Sequence, residues 1–189
     1  MKVSKAQVQA NRAHIVETAS RLFRERGYDG IGIADLMAAA GFTHGGFYKH
    51  FGSKADLMAE AAVYGLEQSA AQTAGADLSE FVGQYLSRSH RDEPGEGCTM
   101  AALCGDASRQ PDFVRETFAA GIERQLAATE LDGGSAAEAR AKSINTIAHA
   151  VGAIVLSRAC PDDSPLAQEI LDVCRARILA TLAPPATSE

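Results

Sequence analysis

The densest mixture of basic, aromatic and bare backbone positions in the chain is the stretch THGGFYKHFGSK, residues 43–54. Lys49, His50 and Lys54 alternate with Phe47, Tyr48 and Phe51, and two glycines, Gly45 and Gly46, stand just before them. Each glycine costs about 1 kcal/mol of helix propensity relative to alanine. That cost is tolerable where missing side chains let a helix N-terminus approach phosphates and base edges closely, and the unpaired N–H groups there favour anions. Helical spacing sorts the rest. Phe47 and Phe51, at i and i+4, share a face and pack beneath the helix. Tyr48 lies one turn from His44 and points with it away from that face, while Lys49 and His50 flank as phosphate contacts. Ser53 can cap a new helix whose first turn carries Lys54, a second place for an anion.

Other residues could do chemistry of a different kind. Cys98 follows Gly97 and opens the segment CTMAALCGDASR. A helix N-terminus lowers a thiol's pKa, and thiolates react with electrophiles and oxidants. The plainer reading is a small buried residue at a helix start. Cys104 lies six residues on, a poor geometry for a bridge within one helix. The four cysteines form no CxxC pair and no zinc grouping with histidine, His44 and His50 are badly spaced for a shared metal, and no GxxxxGK[ST] phosphate loop occurs, so neither metal nor cofactor is expected. An enzyme using Cys98 or His90 as nucleophile or base is the rival reading, although no second group stands at a spacing that marks a catalytic pair. A helical interaction module that binds no nucleic acid is a third.

The elements that must position these groups are helical throughout. Ile15, Ala19, Leu22 and Phe23 form one stripe over residues 8–26, stopped by Gly27. Ile33, Leu36, Met37 and Ala40 form a short second stripe ending at Gly41, where a positive φ is expected. Further helices are expected at 54–72, 78–89, 98–107, 111–130, 136–159 and 165–182, with 91–97 a loop by its proline and glycines. No alternating β-branched run supports a strand. The fold class is all-α, about nine helices, with helix, tight turn and helix at 33–50 as in the helix-turn-helix arrangement, whose second helix enters a DNA major groove.

Phe81, Tyr85, Met100, Leu103, Phe113, Phe118 and Ile122 suit a pocket for a small apolar or aromatic molecule, with His149 as a polar group inside IAHAVGAIV; ordinary core packing is the alternative. Residues 144–156 are apolar around most of the helix circumference and need cover on more than one side.

Charge divides the chain. Residues 1–54 carry eight Lys/Arg and four Asp/Glu; the other 135 carry ten and twenty, within a net charge of −6. A basic head on an acidic body fits a head that meets a polyanion. No apolar run reaches the roughly 20 residues of a membrane span, and the polar MKVSKAQVQANR has no signal-peptide core, so a cytoplasmic protein without membrane contact is expected.

Residues 12–57 resemble the N-terminal domain of the TetR family of bacterial transcriptional repressors. The matching features are Leu22-Phe23 with Gly27-Tyr28, Ala40-Gly41-Phe42, Phe47-Tyr48-x-His50-Phe51 and Ser53-Lys54-x-x-Leu57. The resemblance implies a DNA-binding domain over 1–54 and a ligand-binding and dimerisation domain over 55–183; the composition of the APPATSE segment adds a disordered tail over 184–189. It implies Thr43, His44, Gly45, Tyr48, His50 and Lys54 as contacts to a double-stranded operator, release of DNA by a small-molecule effector, and a homodimer joined through the last two helices. Those helices offer Ile144, Ile147, Val151, Ile154, Val155, Leu166, Ile170, Val173 and Ile178. Some members sense electrophiles through cysteine, which bears on Cys98. Gly32 and Ala34 stand where the family often has a hydroxyl cap and a polar DNA contact, so base reading falls on His44 and Thr43.

Overall fold

The computed structural model describes residues 4–73, 75, 77–129 and 134–182. Among these are nine α-helices and two 3-10 helices: α1 (Lys5–Arg26), α2 (Ile33–Ala39), a 3-10 helix (His44–Lys49), α3 (Lys54–Thr73), α4 (Leu78–Tyr85), α5 (Arg88–Asp92), a 3-10 helix (Pro94–Glu96), α6 (Thr99–Ala107), α7 (Asp112–Ala128), α8 (Ala136–Arg158) and α9 (Pro165–Leu182). The expected tail at 184–189 lies outside the described residues.

The chain divides into two compact units, residues 1–69 with 94–122, and 70–93 with 123–189. This differs from a division at residue 54, because the start of α3, the Pro94–Glu96 helix and α6 belong to the same unit as α1.

In the first unit, α1 begins at Ser4, whose hydroxyl accepts from Gln7 N–H at 3.1 Å, and ends at Gly27 with φ +74°. Ile15, Ala19, Leu22 and Phe23 are all buried, as their spacing requires. Tyr28 is also buried, its ring meeting Phe23 edge-on at 5.0 Å. Leu36, Met37, Phe47 and Leu57 are fully buried on α2, the recognition segment and α3. Burying each is worth about 1.5–3 kcal/mol. Arg24 fastens the Pro94–Glu96 turn to α1 by donating from Nε to Gly95 O at 2.9 Å and from Nη1 to Ser20 Oγ at 2.7 Å.

In the second unit, α8 packs on α9, α4 on α9 and α5 on α8. Two sequence expectations are corrected here. Residues 78–89 do not form one helix: α4 ends at Tyr85 with Leu86 as its C-cap, and Ser87 caps α5 by accepting from His90 N–H. The expected loop at 91–97 is partly helical for the same reason, with Arg91 on α5 buried. Its guanidinium donates to Ser157 O, Ser157 Oγ and Cys160 O at 3.0–3.2 Å, at the C-terminal end of α8, where a cation is favourable. Asp92 and Asp162 balance its charge. Arg158 answers with bonds to Arg91 O and His90 O at 2.8 and 2.7 Å.

Candidate nucleic-acid interface

The turn between α2 and the recognition segment is a Schellman motif. Phe42 N–H donates to Met37 O at 2.8 Å and Gly41 N–H to Ala38 O at 3.0 Å, the paired bonds that satisfy a helix end when its C′ residue is left-handed. Gly41 has φ +79°, which an L side chain adopts only with strain. The expected positive φ is present.

The recognition segment is a 3-10 helix over His44–Lys49 rather than an α-helix. Its tighter winding fits a stretch of six residues that includes two poor helix formers. Phe47 and Phe51 are buried, rings 5.5 Å apart, and anchor its underside. Thr43, His44, Gly45, Tyr48 and Lys49 are exposed; Tyr48 retains 65% of its accessible surface, an unusual exposure for a residue whose neighbour Phe47 retains none. Rings of His44 and Tyr48 stand 6.3 Å apart. A Cβ at Gly45 would meet nothing within 4 Å, so no packing in the first unit requires glycine there. His50 is half-buried between Phe42 and Phe51, ring centroids 6.5 and 6.2 Å away.

Lys54 takes a different position from the one its spacing suggested. Ser53 does cap α3, accepting from Asp56 N–H at 3.1 Å. The half-buried Lys54, however, donates Nζ to Tyr28 O and lies 6.0 Å from the Phe23 ring centroid. Its ammonium thus ties α3 to the end of α1. Asp106 on α6 holds the other backbone group of the same residue, accepting from Tyr28 N–H at 2.9 Å.

The expected pocket residues fall in both units. Cys98, Met100, Leu103 and Phe118 are buried in the first, with Ile122 half-buried and Phe113 exposed. Cys98 is the N-cap of α6, as the sequence indicates. Burial, with a smaller contribution from Cys98, pushes the Cys104 thiol up to about 11, so Cys104 stays protonated at neutral pH. In the second unit, Phe81 and Tyr85 rings are 5.8 Å apart, and the Tyr85 ring meets that of His90 at 4.5 Å, tilted by 44°. His149 is half-buried rather than enclosed. His90 Nδ1 lies 2.6 Å from Tyr85 O and donates to it. Cys98 and His90, the residues of the rival enzyme reading, lie in different units. Among the described residues no group of His, Cys, Asp and Glu could hold a metal, and all four cysteines are free of disulfides.

Of the residues expected at the dimer face, Ile144, Val155, Leu166 and Val173 are exposed, and Ile147, Val151 and Ile170 are half-buried. Ile154 and Ile178 are corrected: both are fully buried in the core of the second unit. Leu156, outside that set, is 59% exposed. An α8 apolar on nearly every side gives no periodicity from which to choose its outer face.

A buried aromatic base carrying an exposed polar ridge, entered through a glycine turn after a short helix, defines the class: a helix-turn-helix head. Residues 15–61 match the family model described as bacterial regulatory proteins, tetR family. The HTH-type transcriptional regulator AcrR of Shigella flexneri is 39% identical over 30% of this chain and 26% of its own length. An uncharacterized HTH-type transcriptional regulator of Mycobacterium tuberculosis is 28% identical over 84% of this chain and 90% of its own. The reduced form of NemR from E. coli shares the fold at a TM-score of 0.75 and 18% identity, covering 94% of this chain and 100% of that one. The chain spans about a quarter of the length of the curated relatives it first matches. Over residues 15–61 the chain is thus similar to the DNA-binding region of bacterial regulatory proteins of the tetR family. Among the described residues, no helix is long and apolar enough to cross a membrane.

Proposed function

We propose that the protein is a cytoplasmic, homodimeric transcriptional regulator that represses from a near-palindromic DNA operator and is released by a small apolar or electrophilic effector. The observation that carries this reading is the recognition segment: five exposed residues, Thr43 to Gly45 with Tyr48 and Lys49, held on the buried Phe47 and Phe51. Thr43, His44 and Tyr48 meet base edges and sugar–phosphate, Lys49 and His50 meet phosphate, and Gly45 lets the backbone come close. Lys54 serves chiefly by fixing α3 to Tyr28, on the strength of its bond to that carbonyl.

Two such heads in one dimer reach successive major grooves, which makes half-site spacing a matter of helical turns. Ile144, Val155, Leu156, Leu166 and Val173 supply the apolar surface of α8 and α9 on which the subunits join. The residues 55–183 supply effector binding, through Cys98, Met100, Leu103, Phe113, Phe118 and Ile122 in the first unit or through Phe81, Tyr85 and His149 in the second. An effector releases DNA only to the extent that it favours the non-binding arrangement of the heads.

Selection of duplexes from a random-sequence pool by the purified protein tests the reading. Recovery of a two-fold symmetric site, bound with an affinity that falls steeply with salt, is expected. Failure to enrich any duplex contradicts it. Cys98→Ser separates the effector classes: derepression by an electrophile is lost if Cys98 is the target and retained if the effector is held without covalent chemistry.

A further inference from the structure

The recognition segment is short, glycine-opened and 3-10 in form, so its own backbone bonds hold its direction weakly. Phe47 and Phe51 hold it down, but apolar contacts are non-directional and fix its orientation poorly. The directional contact comes from α1. Arg12 donates from Nε to His50 O at 3.4 Å, the carbonyl at the C-cap of the segment. The guanidinium carbon lies 4.8 Å from the Phe51 ring centroid, over its face. The other edge of the guanidinium pairs with both carboxylate oxygens of Glu60 on α3, Nη2 to Oε1 at 2.5 Å. One planar group therefore joins the end of the recognition segment, the ring beneath it and both long helices flanking it. A cation at a helix C-terminus is favourable, and a two-pronged pair with a carboxylate fixes direction as well as distance.

We propose that Arg12, locked by Glu60, is a positioning residue that sets the direction of the recognition helix, and is not itself a DNA contact. The proposal rests on the reading of the head as a DNA-reading surface. Arg12 stands three residues before the segment matched by the family model. Its charge is matched by Glu60, so it has little left to offer a phosphate. Lysine cannot replace it, because an ammonium lacks the fork that reaches His50 O and both Glu60 oxygens together.

The test uses the full-length protein with Arg12→Ala, Arg12→Lys, Glu60→Gln and the double variant Arg12→Ala/Glu60→Gln. In hydrogen exchange, amides of residues 43–51 should exchange faster in each single variant while residues 15–23 and 57–66 keep their protection. The double variant should match Arg12→Ala, since the two residues act as one unit. Unchanged exchange at 43–51 would overturn the proposal, and so would a rise spread equally over α1 and α3, which marks general support of the fold. In binding to a duplex selected by the wild type, the variants should lose about tenfold in affinity with no loss for random duplex, and the slope of log affinity on log salt should stay that of the wild type. A slope shallower by about 0.9, one phosphate contact, would make Arg12 a DNA ligand and overturn the proposal. A wild type that binds no duplex defeats the DNA reading, and the exchange measurement still decides the role of Arg12.

Discussion

Asp106, near the end of α6, accepts a hydrogen bond from the backbone N–H of Tyr28 at 2.9 Å, across 78 residues of sequence. The same carboxylate receives Arg109 through Oδ1 at 2.7 Å. Its Oδ2 would lie 2.7 Å from a Cβ at Gly27, so a side chain there would have to displace it. Lys54 holds the carbonyl of Tyr28. The residue that joins α1 to the helix-turn-helix is thus gripped at both its backbone groups by side chains from elsewhere in the first unit.

Removing that grip should be costly. Asp106→Ala leaves the part-buried Tyr28 N–H without its acceptor and should destabilise the protein by about 1–3 kcal/mol, the range for losing a hydrogen bond to a charged group. Asp106→Asn keeps an acceptor oxygen and should lose less. Denaturant unfolding measures both, and an Ala variant as stable as the wild type would deny Asp106 this role.

Gly45→Ala separates folding from recognition. Its side chain would enter open space, and alanine is the better helix former, so thermal unfolding should stay the same or shift upward. Affinity for a selected duplex should fall, because the added methyl occupies the surface through which the backbone approaches DNA. Retained affinity would mean that the glycine serves no contact.

Much of this head was legible in the chain. Phe47 and Phe51 share a face by spacing and are buried together; Gly27 and Gly41 end their helices with positive φ, as residues without a Cβ can. Lys54 was not legible as a tether, since the carbonyl it serves belongs to Tyr28 and only tertiary packing brings the two together. The burial of Arg91 is not legible in the chain because arginine rarely occurs fully buried; it depends on the end of α8, 66 residues away. The split of 78–92 into α4 and α5 was hidden because the apolar stripe runs on through Leu86, while the break depends on the cap that Ser87 gives to α5.

His90 makes the second unit sensitive to acid. Burial holds its pKa below the usual 6.5 against the opposing effect of its bond to Tyr85 O, with a smaller lowering contribution from Arg158. A depressed pKa means that the unfolded chain takes up the proton more readily than the folded one. Stability from this group is therefore present above about pH 6.5 and is lost as pH falls through that value toward the folded pKa. Between pH 7 and 5.5 the melting temperature of the wild type should drop more than that of His90→Gln. Equal drops would remove His90 as the cause.

Val155→Glu combined with Leu166→Glu places charge on two exposed apolar positions of α8 and α9. The unit's core is left intact, so circular dichroism should be unchanged. Sedimentation should show the molar mass falling from that of a dimer to that of one chain, since a buried unpaired carboxylate is strongly unfavourable. A mass equal to the wild type's would place the subunit contact elsewhere.

The most direct measurement is the affinity of wild type and Tyr48→Ala for the same selected duplex, with unfolding followed in parallel. Tyr48 is largely exposed, so its removal should leave the unfolding midpoint unchanged, while binding should weaken by about 1–3 kcal/mol. Equal affinity in the two proteins, or a wild type that binds no duplex at any salt concentration, would contradict a DNA-reading surface on the segment His44–Lys49.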